Sequence, residues 1–121
     1  TMAKLPQPPA PESFTQLKII GQAWDIVWSP AWLNPGQYAH CDADNQNIVM
    51  RAGLRGMQCA DSLVHETLHA VESIYGLDLT ENQIRLLATG LTQVFLDNPE
   101  YFGFLAERFE EELKRNGQTR T

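Results

Sequence analysis

The string His65-Glu66-Thr67-Leu68-His69 holds the residue types from which a metal-assisted hydrolytic centre is built. On a helix, side chains four residues apart lie about 40° apart around the axis with one turn between them, so both imidazoles reach one tetrahedral metal. Glu66 sits about 60° round from His69 and points beside the metal, where a carboxylate takes a proton from water that the metal activates. The spacing supplies two ligands and a base, and zinc is the metal that H-E-x-x-H on a helix implies. The bland alternative is a pair of solvated or core-satisfied histidines. It is disfavoured because the apolar residues Val64, Leu68, Val71 and Tyr75 recur at i, i+4, i+7 and i+11, a stripe on the side away from the His face.

A catalytic zinc centre takes a third protein ligand and keeps one position open for water. Glu72 shares the helical face of the histidines, but roughly 10 Å of rise separates it from His65, too far for one metal to span all three, which leaves it solvated or in support of the ligands. Cys41 and Cys59 are chemically good ligands, and a His-His-Cys set would resemble peptide deformylases. Neither cysteine stands in the Gly-rich, Cys-containing strand pattern of those enzymes. Glu81 opens the next helix, beyond Gly76 and the short stretch from Leu77 to Leu79. A tight reversal there returns its carboxylate to the His pair, beside Ile84 and Arg85. The helix dipole alone also favours an acid at that place, and the need for a third ligand favours Glu81.

The elements that must position these groups follow from the change of period along the chain. Residues 17–20 and 24–28 are β-prone runs broken by Gly21 and Gln22, a hairpin. SPAWLNPG from Ser29 to Gly36 reads as a loop, and residues 38–41 and 47–51 as strands on either side of the turn-like DADN. A helix is expected from about Met57 or Asp61 to Tyr75, stopped by Gly76. Thr80 and Gln83 form a capping box for a second helix with an apolar stripe of Ile84, Leu87, Leu91 and Val94. Asn98 and Pro99 start a third, whose buried face is expected to be Phe102, Leu105, Phe109 and Leu113. Strands first and helices after predict an α+β domain: a small mixed or antiparallel sheet of three to four strands with three helices packed on it. Residues 1–12, rich in proline, read as a flexible arm, and 13–121 as the single domain.

With 121 residues the chain suits one domain with its own core. Nine Lys plus Arg against fifteen Asp plus Glu give a net charge of -6, which repels a phosphate backbone and argues against nucleic-acid binding. No apolar run approaches the roughly 20 residues of a spanning helix and no secretory signal opens the chain, so a cytoplasmic location without membrane contact is expected. The two cysteines are expected to be reduced and largely buried. Of the groups able to stabilise an oxyanion, Tyr75 reads as core, Tyr101 remains open, and His40, in a strand that could line the site, reads first as a plain surface histidine. Trp24, Trp28 and Trp32 belong to the core or to an aromatic patch.

The segment HETLHAVESIYGLDLTENQIRLLATGLTQVFLDNPEYF resembles the core of small, often phage- or prophage-encoded zincin-like metallopeptidases of the gluzincin type. The likeness extends more weakly to LKIIGQAWDIVW, the strand from Gly36 to Asp42, and QNIVMR. It implies a zincin-like fold, Zn²⁺ held by His65, His69 and Glu81, Glu66 as general base, and a peptide or protein substrate. The chain departs from larger gluzincins in lacking the Asp a few residues after the third ligand, where Arg85 stands instead. That leaves Asp61, one turn before His65, as a candidate to orient a histidine. Those enzymes also carry an oxyanion-stabilising His or Tyr in a further domain. Two rival readings keep the scaffold: a phage-type binding or inhibitor module with little or no turnover, and a non-peptidase zinc amidase. If phage-encoded, the chain would act in the cytoplasm of the bacterial host.

Overall fold

The computed structural model describes residues 9–30 and 36–117. Most of the expected arm, and Trp32, lie outside the described residues. The N-terminal hairpin joins β1 (Gln16–Ile19) to β2 (Gln22–Ser29) through Ile20 and Gly21, both at positive φ (48° and 78°). That pair of left-handed residues twists the turn with the strands, and glycine carries half of it without cost. From β2 the chain crosses to β3 (Ala39–Asp42) and returns as β4 (Asn47–Arg51). Asp42 closes that return by accepting from Asn45 Nδ2 at 2.8 Å. β4 therefore inserts between its predecessors, giving the order β1-β2-β4-β3, with β2 and β4 parallel and the two outer pairs antiparallel. The sheet is mixed, and β3 is one of its edges.

Three helices follow: α1 (Gly56–Tyr75), α2 (Glu81–Asp97) and α3 (Pro99–Arg115). The expected α+β architecture is thus present, and its layering is specific. α1 lies against the sheet, α2 against α1, and α3 touches α2 near the Asn98 corner. Between sheet and α1 sits a core of Ile19, Trp24, Ile26, Ile48, Met50, Leu54 and Ala70, with Cys59, Leu63, Val71 and Ile74 packed on it. Burying each large side chain there stabilises by roughly 1.5–3 kcal/mol. Trp24 is core, and Trp28 lies at its margin, donating from Nε1 to the Phe14 carbonyl at 2.8 Å. Cys41 and Cys59 are free and half-buried. Among the described residues no helix is long and apolar enough to cross a membrane.

The inward faces differ from the expected stripes. On α1 the residues that meet the core are Cys59, Leu63, Ala70, Val71 and Ile74, so Val71 alone of the expected stripe takes part, and Tyr75 is 63% exposed. The helix is rolled by one residue, about 100°, relative to the Val64-Leu68-Val71-Tyr75 stripe. That roll carries Glu66 inward. On α2 the buried line is Ile84, Ala88 and Thr92, whereas Leu87, Leu91 and Val94 are exposed. Beside Ile84, which the expected stripe includes, the contact takes the small Ala88 and Thr92 in place of the expected leucines, a criterion of volume that apolarity alone misses. No residue of α3 is buried, and Phe102 and Phe109 are 60% and 61% exposed, contrary to the expected face. Asn98 alone separates α2 from α3, so the chain turns away from the sheet, with the Phe95 ring 5.8 Å from Tyr101 and 5.5 Å from Phe102.

Two local devices tie the first turn of α1 and its end. Glu12 accepts from Gly53 N at 2.8 Å and pairs with Arg55 at 2.9 Å, and these contacts hold its carboxyl at about 2. Gly76, at φ 69°, ends α1 in the left-handed conformation, letting Leu77 N donate back to the Glu72 carbonyl at 3.0 Å. A Cβ at Gly76 meets nothing within 4 Å, so Gly76→Ala isolates the backbone cost. It is expected to lower stability by about 1–2 kcal/mol, read by denaturant unfolding; an unchanged midpoint would show that this turn does not need the left-handed residue.

Candidate metal centre

The site is assembled from the end of one helix contact and the start of the next. His65 and His69 stand one turn apart on α1, ring centroids 5.0 Å apart and planes at 59°. The α2 start is fixed by the capping box: Thr80 Oγ1 accepts from Gln83 N at 3.1 Å, and Thr80 N donates to Gln83 Oε1 at 2.9 Å. Glu81 follows as the first residue of the helix, where the unpaired N–H groups favour a negative charge. Its carboxylate reaches back to α1. Oε1 lies 2.6 Å from His65 Nε2 and Oε2 lies 2.8 Å from His69 Nε2. Two imidazole nitrogens and one carboxylate thus converge on a single point, and these are donors that suit zinc.

Glu66 borders the same point from within. Its carboxylate is within 4.8 Å of donor nitrogens of both rings but pairs with neither. It is only 5% exposed. Burial raises its carboxyl above the ordinary range, the two imidazoles oppose that rise, and Glu81 adds to it. The site opens on the other side, where the Glu81 side chain is 68% exposed against 20% for His65 and 25% for His69.

Glu72, set aside as a ligand by its spacing, has a defined place behind His69. Its Oε1 lies 3.5 Å from His69 Nδ1, on the edge of the ring away from Glu81, and its Oε2 accepts from Leu79 N at 2.6 Å. The carboxylate thereby links a histidine to the connector that delivers Glu81. Asp61, the sequence candidate for that orienting role, instead accepts from Thr89 Oγ1 of α2, at 3.2 Å to its nearer oxygen. It braces the two helices.

An open cleft of about 800 Å³ fronts these groups, with β3 and the residues before it on one wall and α1 and the start of α2 on the other. His40 lines it, and Tyr75 and Tyr101 do not. Cys41 also lines it, but its thiol is outside the donor cluster, pushed up to about 11 by burial and by Glu66 and Asp42. Cys59 packs on the core. Tyr38 and Arg85 are cleft residues that motif reading did not assign. No local pattern marks Tyr38, because its place depends on β3 lying at the sheet edge. For Arg85 the signal is its i+4 spacing from Glu81.

Comparisons with protein families, with curated proteins and with solved structures find no match to this chain. The arrangement itself generates a test. Glu72→Gln removes the charge beside His69 Nδ1 while keeping the side chain's shape, and loss of such an outer partner costs roughly 10–100-fold in metal affinity. Zinc titration against a competing chelator should show that loss. Affinity equal to the parent's would reduce Glu72 to a brace for the connector.

Proposed function

We propose that the chain is a zinc-dependent metallopeptidase in which His65, His69 and Glu81 hold the metal and Glu66 is the general base. The observation that carries this reading is the Glu81 carboxylate lying 2.6 and 2.8 Å from the Nε2 atoms of His65 and His69, with the buried Glu66 beside them. Two imidazoles and a carboxylate fit zinc in donor type and number, and a site of three protein ligands keeps a position for water. When bound, zinc supplies Lewis-acid polarisation of a carbonyl and lowers the pKa of water.

The chain's own residues supply the rest. Glu66 accepts the proton as water oxygen bonds to the carbonyl carbon, and returns it to the amide nitrogen as the C–N bond breaks. Its raised carboxyl pKa suits a group that must both take and give a proton. Its burial keeps bulk water from competing for that proton. Ala39, His40 and Cys41 of the edge strand line the cleft, and a sheet edge offers backbone groups to which an extended chain adds by main-chain hydrogen bonds. That supports a peptide over a small amide as substrate. The resemblance of the HETLH segment to gluzincins supports the same assignment.

About one equivalent of zinc per chain is expected, measured by elemental analysis on protein purified without added metal. Glu81→Ala should weaken zinc binding far more than Cys41→Ser, because only Glu81 meets both rings. Glu66→Gln should keep zinc and fold while hydrolysis of peptide-library substrates falls roughly 10²–10⁴-fold. Undiminished cleavage by Glu66→Gln would remove it as base, and absence of zinc from both native and zinc-soaked protein would end the metalloenzyme reading.

A further inference from the structure

Resting on the peptidase reading, we propose that Arg85 is an anion anchor in the cleft, selecting peptides that carry a carboxylate close to the bond to be cleaved. Arg85 is four residues after Glu81, so the two side chains leave α2 on one face about 6 Å apart along the axis, and both line the cleft. The guanidinium's one hydrogen-bond partner among the described residues is a neutral group, Asn82 Oδ1 at 2.5 Å.

Charge decides what Arg85 is available for. The cleft is lined by four carboxylates, Asp61, Glu66, Glu72 and Glu81, and among its described lining residues Arg85 is the single permanently charged cation. An Arg so surrounded normally pairs with the nearest acid. None is at hand for pairing: Glu81 is turned onto His65 and His69, Glu72 onto Leu79 and His69, Asp61 onto Thr89, and Glu66 is buried on the core side of α1. Arg85 makes no ion pair among the described residues, and its one side-chain hydrogen bond, to Asn82, leaves most of its five planar donors without a protein partner. A guanidinium fork accepts a carboxylate in two parallel hydrogen bonds, a geometry that a lysine lacks.

The anchor has a second consequence for a chain of net charge -6. An acidic substrate meets repulsion from the surface and from Glu72 and Asp61, so a single fixed cation near the site decides whether such a substrate enters in register. With about 3.3 Å per residue in an extended peptide, an anchor about 6 Å from Glu81 along α2 places the recognised carboxylate within roughly two residues of the scissile bond. The carboxylate belongs either to an Asp or Glu side chain or to a free C-terminus.

Binding of fluorescent peptide pairs to zinc-loaded Glu66→Gln protein separates these sources. One set of pairs differs only in Glu against Gln at a single position, the other only in a free C-terminal acid against an amide. In one of the two sets the carboxylate member should bind about tenfold more tightly. Arg85→Gln, added to the same background, should abolish that preference with zinc content unchanged, and Arg85→Lys should restore part of it. Equal affinities within both sets, a preference that survives Arg85→Gln, or no binding of any peptide overturns the anchor. Turnover by the parent judges the other claim independently. Hydrolysis without a charge preference removes the anchor alone, whereas a preference lost with Arg85→Gln in a protein that never hydrolyses keeps the anchor and removes the peptidase.

Discussion

Negative charge concentrated around two imidazoles is the constraint to which the rest of this molecule answers. Glu66 is buried at the inner side of the His pair and Glu81 closes its outer side, with Glu72 behind His69. Burial of the Glu66 carboxylate carries a desolvation cost that raises its pKa and that nearby positive charge offsets. A divalent cation held by the two imidazoles and Glu81 would offset that cost for both carboxylates at once. The scaffold tolerates this arrangement because α1 is held by a packed core on the sheet side and by α2 on the other.

Position is enforced through a short chain of contacts. The core line of Leu63, Ala70 and Ile74 sets the roll of α1, and with it the depth of Glu66 and the outward aim of His65 and His69. Gly76 ends the helix, Glu72 ties Leu79, and the Thr80–Gln83 box fixes the residue at which α2 begins. Ile84 and Ala88, both fully buried, let α2 settle close enough for Glu81 to reach across. Metal bound at that point would join α1 to α2, so its binding energy would add to folding energy. Elsewhere the packing is sparse. Leu87, Leu91, Phe102 and Phe109 are exposed, and none of them lines the cleft.

Much of this was legible in the sequence because the signals are local. The H-E-x-x-H spacing, the left-handed Gly76, the capping box and the Asn98-Pro99 restart each depend on a few neighbouring residues, and each recurs in the structure. The reach of Glu81 to both histidines also followed from a short connector. What depends on tertiary packing was not legible. Apolarity placed the inward face of α1 one residue away from where Ala70 and Leu63 put it, which hid the burial of Glu66. It likewise chose Leu87 and Leu91 over Ala88 and Thr92, since periodicity weighs hydrophobicity and the α1–α2 contact selects small volume. Glu72 was legible only as solvated or in support of the ligands, because its partners are a ring nitrogen and a backbone N–H, neither visible as a sequence pattern.

The central claim is that one metal sits where His65, His69 and Glu81 converge. Zinc-edge anomalous diffraction from crystals of the zinc-loaded protein tests it most directly. The account predicts one strong peak, about 2.0–2.1 Å from the Nε2 atoms of His65 and His69 and about 2.0–2.2 Å from a Glu81 oxygen, with the Glu66 carboxylate beside the metal and not bound to it. A peak with a sulfur ligand from Cys41 at about 2.3 Å, a metal ligated by Glu66 in place of Glu81, or no peak between the two histidines would contradict it.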